Sequence, residues 1–263
     1  MTIRRRLHDE ASLADLAEEL SLPAADVERD YLLVFIAAQL EADFEGALCF
    51  KGGFVLRHVH RQNRLSVDID ATRQSPPQHK FDASEVGASI SRAGRGVFRV
   101  RVNEPQTDSG RSLDFDKVAY VGPLGTGVVA VEVSYREAVV LEPVRAEIGP
   151  PFFDPFEIPV MAPDEIVAEK LRTLAQRRRP TDLSDIAFLL STAEIDASVV
   201  RRVAAEKFAP GLVQPGDHVS RITTNVEAMA AEYDATIKGV APDSPPHAEA
   251  AQLLLRQLRS LLP

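Results

Sequence analysis

The stretch 49–72, CFKGGFVLRHVHRQNRLSVDIDAT, constrains this chain most: it reads as a glycine turn between a strand and a helix, followed by a strand bearing two carboxylates. Leu48, Cys49 and Phe50 form a short apolar run that ends in Lys51-Gly52-Gly53, after which Phe54, Val55, Leu56 and Val59 recur at helical spacing. Adjacent glycines let backbone N–H groups approach a ligand without a Cβ in the way. A helix N-terminus behind them favours an anion such as a triphosphate. In Ser66-Val67-Asp68-Ile69-Asp70-Ala71 polar and apolar residues alternate with the period of a strand, so Asp68 and Asp70 share a face. Like charges placed that way repel unless a cation lies between them, and two carboxylates with phosphate oxygens and waters suit Mg²⁺ or Mn²⁺. An Asp-x-Asp alone also describes a solvated strand face. The glycine turn about fifteen residues upstream, one helix away, selects the metal-site reading.

A chain of 263 residues, 45% of them hydrophobic, has enough apolar material for one large domain or two smaller ones. Its formal charge of −9 argues against indiscriminate binding to nucleic acid and leaves room only for a local basic surface. The single cysteine, Cys49, falls in the expected buried strand, so no disulfide framework is expected and a reducing cytoplasm is. No apolar run follows Arg4-Arg5-Arg6, and the later apolar runs are too short to span a bilayer, so neither an export signal nor a membrane segment is expected. The histidines lack metal-ligand spacing, and His58 and His60 read as surface residues.

In chain order, a short helix is expected over 12–19. Ser21 is placed as the N-cap of a second helix, with Pro23 in its first turn, running to about Leu40 and apolar nearly all round. A loop at 74–78 leads to a helix over 84–92, a strand over 97–103 with Arg99 and Arg101 on one edge, a turn at 107–110 and a strand over 113–120. Asp114 and Asp116 on that last strand follow no glycine turn and are read as a solvated face. The run 127–134 is the most apolar strand and is expected inside the sheet, with Glu132 its one charge. Glu132 either joins Asp68 and Asp70 at a metal or sits at an exposed strand end, or beside an arginine.

Proline-rich 143–159 places a boundary near Met161, which divides the chain into 1–160 and 161–263. Pro163, Asp164 and Glu165 then start a helix with Val167, Leu171 and Leu174 as its buried stripe and Lys170 at the edge. Pro180 breaks it, Thr181 or Asp182 caps the next, and Asp182 and Asp185 share a face at i, i+3. Helices over 197–208, 221–238 and 247–261 are separated by Pro210-Gly211, Pro215-Gly216 and the prolines of 242–246.

Lys51-Gly52-Gly53 with Ser66-x-Asp68-x-Asp70, followed by Lys170 and an Asp182-Leu183-Ser184-Asp185 helix, resembles the nucleotidyltransferases of the DNA polymerase β superfamily. More closely, it resembles the AbiEii/MenT-type toxin nucleotidyltransferases of bacterial toxin–antitoxin systems. The resemblance implies an α/β (α+β) nucleotidyltransferase core with a mixed sheet, and a C-terminal helical lobe that completes a cleft. Carried over position by position, it makes Asp68, Asp70, Lys170 and Asp185 the catalytic set, with Asp185 a general base or the residue that orients Lys170. It puts Lys51, Gly52, Gly53, Ser66 and Lys170 at the nucleotide, and Glu132 beside Asp68 and Asp70 as a third metal ligand. Mg²⁺ (or Mn²⁺) and an NTP are the implied cofactor and substrate. The implied acceptor is an RNA 3′ end, particularly tRNA, whose modification stops translation, and a cognate antitoxin is the implied partner.

Phe54 departs from the family's Ser or Thr after the glycines, so a hydroxyl donor to the triphosphate is missing there. Arg57, Arg61, Arg64, Arg73 and the run Arg177, Arg178, Arg179 are the residues that would track an RNA backbone. A phosphate added to Ser66 would occupy the place of the incoming nucleotide's phosphates. Three other readings use the same residues: transfer to a protein side chain, a binding module whose site has decayed, and a metal-dependent nuclease, in which the glycine turn would lack a purpose.

Overall fold

The computed structural model describes residues 9–74, 82–106, 111–136, 138–149, 154–208 and 217–263, and the chain divides into two units. Unit 1 comprises Met1–Arg61, Leu65–Val139 and Pro143–Val160, and unit 2 comprises Gln62–Arg64, Val140–Glu142 and Met161–Pro263. The expected loop 74–78 beyond its first residue, the turn at 107–110, and the breaks at Pro210-Gly211 and Pro215-Gly216 lie outside the described residues, as does Arg4-Arg5-Arg6.

Unit 1 is built on strands β1 (Leu48–Lys51), β2 (Asp68–Arg73), β3 (Arg99–Arg101), β4 (Ser112–Val121), β5 (Thr126–Ser134), β6 (Val144–Ile148) and β7 (Phe156–Val160). They form one seven-stranded sheet in the order β3-β4-β5-β2-β1-β7-β6. The sheet is mixed, because β2 runs parallel to β5 and β1 parallel to β7 while the other neighbours are antiparallel. The apolar strand β5 lies between β4 and β2, and basic β3 is an edge.

The registers sort side chains by face, since residues directly opposite on neighbouring strands project the same way. Phe50, Ala71, Val133 and Leu113 form one cross-sheet row and Ile69, Val131 and Phe115 another, all buried. The alternate rows, Cys49-Thr72-Ser134-Ser112 and Lys51-Asp70-Glu132-Asp114, make the opposite face polar.

Helix α1 (Glu10–Leu20) is N-capped by Asp9, whose carboxylate accepts from the Ser12 N–H. Helix α2 (Ala24–Phe44) buries Tyr31, Leu32, Leu33, Val34, Phe35 and Ile36, as an all-round apolar helix must. Tyr31 and Phe35 meet Phe98 at 5.4 and 5.8 Å between ring centroids, and Phe98 meets Tyr120 edge-on at 5.8 Å, an arrangement that the ring quadrupoles favour. Ser21 is not the cap of α2. It ends α1 in the left-handed conformation at φ 53°, where its N–H closes the last turn, and Pro23 precedes α2.

Helix α3 (Gly52–His58) follows β1 directly, and α4 (Ala83–Arg92) is capped by Asp82. His58 is not a surface residue: its Nε2 lies 2.9 Å from Asp30 Oδ1, and Arg57 Nε donates to Asp30 Oδ2 at 2.8 Å. Burial alone would raise the Asp30 pKa, but His58 and Arg57 beside it hold it below the usual carboxylate range. His60 is also largely buried, and that burial lowers its pKa. Asp30 is thus the buried tie between α2 and α3, a pairing across 27 residues that no local pattern announces.

Unit 2 holds α5 (Pro163–Gln176), α6 (Pro180–Thr192), α7 (Ala197–Lys207), α8 (His218–Ala228), α9 (Ala230–Val240) and α10 (His247–Leu261). The single helix expected over 221–238 is two, α8 and α9, which meet at Met229. There the Met229 N–H reaches back only three residues, to Val226 O at 3.2 Å, and the Met229 side chain is fully buried, so packing rather than a Gly or Pro turns the chain. No helix among the described residues is long and apolar enough to cross a membrane.

The core of unit 2 contains a buried cation. Lys207 Nζ lies 2.7 Å from Glu165 Oε1 and 3.1 Å from Glu169 Oε1, with the lysine side chain only 2% exposed. Glu165 also accepts the backbone N–H groups of Val140 and Leu141, at 2.9 and 2.8 Å, so it anchors that segment as well as α7. Removing the cation from two buried carboxylates is costly, whereas replacing the whole group by neutral residues need not be. Lys207→Ala is therefore expected to destabilise the chain by about 3–5 kcal/mol in denaturant unfolding. Combining Glu165→Gln and Glu169→Gln with Lys207→Met should restore much of that loss.

Candidate functional site

In unit 1 the site is assembled by strand register. Asp68 and Asp70 stand two apart on β2 and face the same way, and Asp70 lies directly between Lys51 of β1 and Glu132 of β5. Glu132 in turn faces Asp114 of β4, so one row across four strands reads Lys51, Asp70, Glu132, Asp114. Asp114 is not on a solvated face as its sequence context implies. It is half-buried, its Oδ2 accepts from the Ser112 hydroxyl at 3.0 Å, and its Oδ1 is buried without a hydrogen-bond partner. Asp116, beyond the register shift that begins at Phe115, is exposed as expected.

The glycine turn touches this row. Gly52 has φ +69°, where a side chain is disfavoured, and a Cβ built on it would collide with the Asp70 carboxylate. Glycine is therefore required twice over, by backbone conformation and by the close approach of Asp70. Lys51 precedes it as the N-cap residue of α3, and Gly53 behind it is buried. Phe54 turns away from the turn into the core, with its ring centroid 6.4 Å from that of Phe50 and 4.7 Å from that of His58.

Ser66 lies two residues before β2 starts, at 1% exposure. Its hydroxyl donates to the Asp68 carboxylate at 3.0 Å, with the Asp68 carbonyl also near at 3.1 Å. Ser66 is thus a support of Asp68 in this structure, and it is too buried to be modified without an opening of the chain around it.

The donor chemistry of this face fits a hard divalent cation, which takes carboxylate oxygens. Asp68 and Asp70 supply them from one strand face, Glu132 is next in the row, and Asp114 holds an unsatisfied buried oxygen. Among the described residues no three His, Cys, Asp or Glu side chains already converge on one point, so the carboxylates are laid along a row rather than closed into a cage.

In unit 2 the residues are gathered around Lys170. Its Nζ lies 2.8 Å from Asp182 Oδ1 and 2.9 Å from Asp185 Oδ2, and both aspartates are fully buried. Asp182 does not cap α6, whose N-cap is Arg179 with Pro180 as the first helical residue. The helix dipole favours an acid in that first turn, and the carboxylate is spent instead on Lys170 and on Arg177 Nε at 3.1 Å. Asp185 accepts from Arg64 Nε at 3.1 Å and from Gln62 Nε2 at 3.2 Å. Burial would depress the Lys170 pKa, but the Asp185 and Asp182 carboxylates outweigh it and hold the ammonium above the ordinary lysine range. Asp182 is held below the usual carboxylate range, because Lys170 and Arg177 more than offset its burial.

Several arginines expected along a nucleic-acid backbone are engaged within the protein. Arg57 is held by Asp30, Arg64 by Asp185 and Arg177 by Asp182, while Arg73 stacks over the Tyr135 ring at 5.1 Å. Arg61, Arg178 and Arg179 are exposed. Sequence reasoning missed Gln62, the roles of Arg64 and Asp182, and Asp114. Arg64 and Asp185 are separated by 121 residues, so no local spacing could have joined them.

Comparison with known proteins shows the fold and the family. The chain shares its fold with MenT4, a nucleotidyltransferase toxin from Mycobacterium tuberculosis H37Rv, at a TM-score of 0.73 and 23% identity over 95% of this chain and 89% of that one. It is similar also to JHP933 from Helicobacter pylori, at a TM-score of 0.60 and 16% identity over 90% of this chain and 95% of that one. Among curated proteins no sequence matches. The sequence model of the family described as nucleotidyl transferase AbiEii toxin, type IV toxin–antitoxin system, matches residues 35–256. With a matched span that runs from α2 to α10 and takes in both Asp68-x-Asp70 and the Lys170 cluster, the chain belongs to the AbiEii nucleotidyltransferase toxin family.

Proposed function

We propose that this toxin transfers a nucleoside monophosphate from an NTP to the 3′ hydroxyl of an RNA, with the tRNA acceptor end as the preferred target and a block to translation as the result. The observation that carries this reading is the contact between the glycine turn and the carboxylate row: Gly52 sits against the Asp70 carboxylate, which faces Glu132. Backbone N–H groups for phosphate oxygens and carboxylates for a cation then share one face of the sheet.

Asp68, Asp70 and Glu132 would hold Mg²⁺ or Mn²⁺. When bound, the cation neutralises triphosphate charge and lowers the pKa of the attacking hydroxyl. Lys51 and the Gly52 and Gly53 amides hold the phosphates, and Ser66 keeps the Asp68 carboxylate in its rotamer. In the reaction the acceptor hydroxyl gives its proton to water, its oxygen bonds to the α-phosphorus, the bond to the β-phosphate bridging oxygen breaks, and pyrophosphate leaves. Lys170, protonated and directed by two buried carboxylates, offsets charge that develops on the phosphoryl oxygens. An antitoxin partner follows from the family.

A second reading, with a protein side chain as acceptor, is favoured by one observation. Four of the seven arginines expected to track RNA are bound to partners inside the protein. Incubation with each labelled NTP, Mg²⁺ and total RNA, followed by separation of RNA from protein, shows which macromolecule takes the label.

Asp68→Ala or Asp70→Ala should abolish transfer at a cost in metal-free thermal stability of no more than about 1–2 kcal/mol, since Asp68 gives up the Ser66 hydrogen bond and Asp70 its place opposite Lys51. A marked loss of stability would make them structural. Replacing exposed Arg178 and Arg179 by Ala should raise KM for RNA and flatten its salt dependence by roughly one unit of log–log slope per lost phosphate contact. Nucleotide affinity should stay the same. Unchanged RNA kinetics would shift the weight to a protein acceptor.

A further inference from the structure

Five charged side chains of unit 2 form an alternating chain: Arg64, Asp185, Lys170, Asp182, Arg177. The middle of it is tightly specified. A carboxylate has about four acceptor positions, and all four of Asp185 are filled. Oδ2 takes Lys170 Nζ at 2.9 Å and Arg64 Nη2 at 3.3 Å. Oδ1 takes Arg64 Nε at 3.1 Å and Gln62 Nε2 at 3.2 Å. Asp185 is fully buried, so water does not compete for it. A carboxylate in that state has no lone pair to offer a substrate proton.

The donors come from one short strap. Gln62 and Arg64 both reach Asp185, and Asn63 between them donates to Asp243 Oδ2 at 2.5 Å. The Ser244 hydroxyl beside Asp243 pairs with that of Ser184 at 2.9 Å, which places the far end of the strap's anchor next to Asp185 as well. Arg64 is the element of the strap that fixes orientation, because its planar fork engages both oxygens and so fixes the plane of the carboxylate, which a point charge would not. Lys170 has three ammonium hydrogens, of which Asp182 and Asp185 take two. The direction of the third is set by where those two carboxylates stand.

We propose that Arg64 is a positioning residue for transfer: it locks Asp185 as a fixed acceptor, which fixes the direction of the remaining Lys170 hydrogen, and it takes Asp185 out of proton transfer. This rests on the nucleotidyl-transfer reading above. Three cations against two carboxylates also leave the chain of charges with a surplus positive charge, as an anionic reaction centre requires.

The test is steady-state transfer by Arg64→Ala and Arg64→Lys at varied NTP concentration, with Asp185→Asn as the second arm of a double-mutant cycle. Arg64→Ala should lower kcat by about 10²-fold, the penalty for a displaced catalytic group, with KM for NTP changed less than about threefold. Arg64→Lys should recover only part of the loss, and if the alanine variant does not fold, the lysine variant carries the comparison. In the Asp185→Asn background, Arg64→Ala should add less than about threefold. An unchanged kcat, a loss confined to KM, or effects that multiply independently would overturn the proposal.

A readout independent of turnover is the NMR signal of the Lys170 ammonium in the intact chain, assigned by its absence in Lys170→Arg. It should shift or broaden in Arg64→Ala, and an unchanged signal would overturn the positioning role. If the parent protein labels no acceptor with any NTP, the transfer reading fails, while this signal still decides whether Arg64 positions Lys170.

Discussion

Carboxylates aligned in one row of a sheet repel one another, and the fold of unit 1 enforces that alignment. Parallel pairing of β2 with β5 brings Asp70 to Glu132, and antiparallel pairing of β5 with β4 brings Asp114 to the same Glu132. Each of these strands buries its alternate residues, so a slip of one residue would drive the carboxylates into the apolar face. Burial of Ile69, Val131 and Phe115 therefore holds three like charges together. Gly52, pressed against Asp70 from the adjoining turn, closes the same arrangement from the other side.

Charge in unit 2 is handled in the opposite way. There each buried acid among the described residues meets a cation at hydrogen-bond distance: Glu165 and Glu169 meet Lys207, and Asp182 and Asp185 share Lys170. The first group is buried, with Lys207 only 2% exposed, and it joins α5 to α7. The second leaves Lys170 partly open, at 15%, and surrounds it with partners that keep it charged. The two lysines are both set among acids and differ in exposure, 15% for Lys170 against 2% for Lys207.

How far the sequence discloses this depends on the range of the interaction. The alternation around Asp68 and Asp70 and the apolar run holding Glu132 are local patterns, and each maps onto a strand face as expected. Proline and acidic residues at 163–165 likewise mark the start of α5. Asp114 differs from its sequence context because its neighbour, Glu132, is set by a pairing across β4 and β5 whose register shifts after Phe115. The arginines misled for the same reason. Arg57 and Arg64 look available in sequence, but each has a buried acid waiting 27 or 121 residues away. Phe54 reads as a lost hydroxyl, whereas in the fold its side chain belongs to the core beside Phe50 and His58.

The polar sheet face is tested most directly by calorimetric titration of the intact protein with a nucleoside triphosphate, with and without Mg²⁺, for the parent and for Asp70→Asn. Tight binding that requires the metal in the parent, and is lost in Asp70→Asn, is the predicted result. Equal affinity without Mg²⁺, or in Asp70→Asn with Mg²⁺, would contradict a carboxylate-held cation as the anchor of the triphosphate.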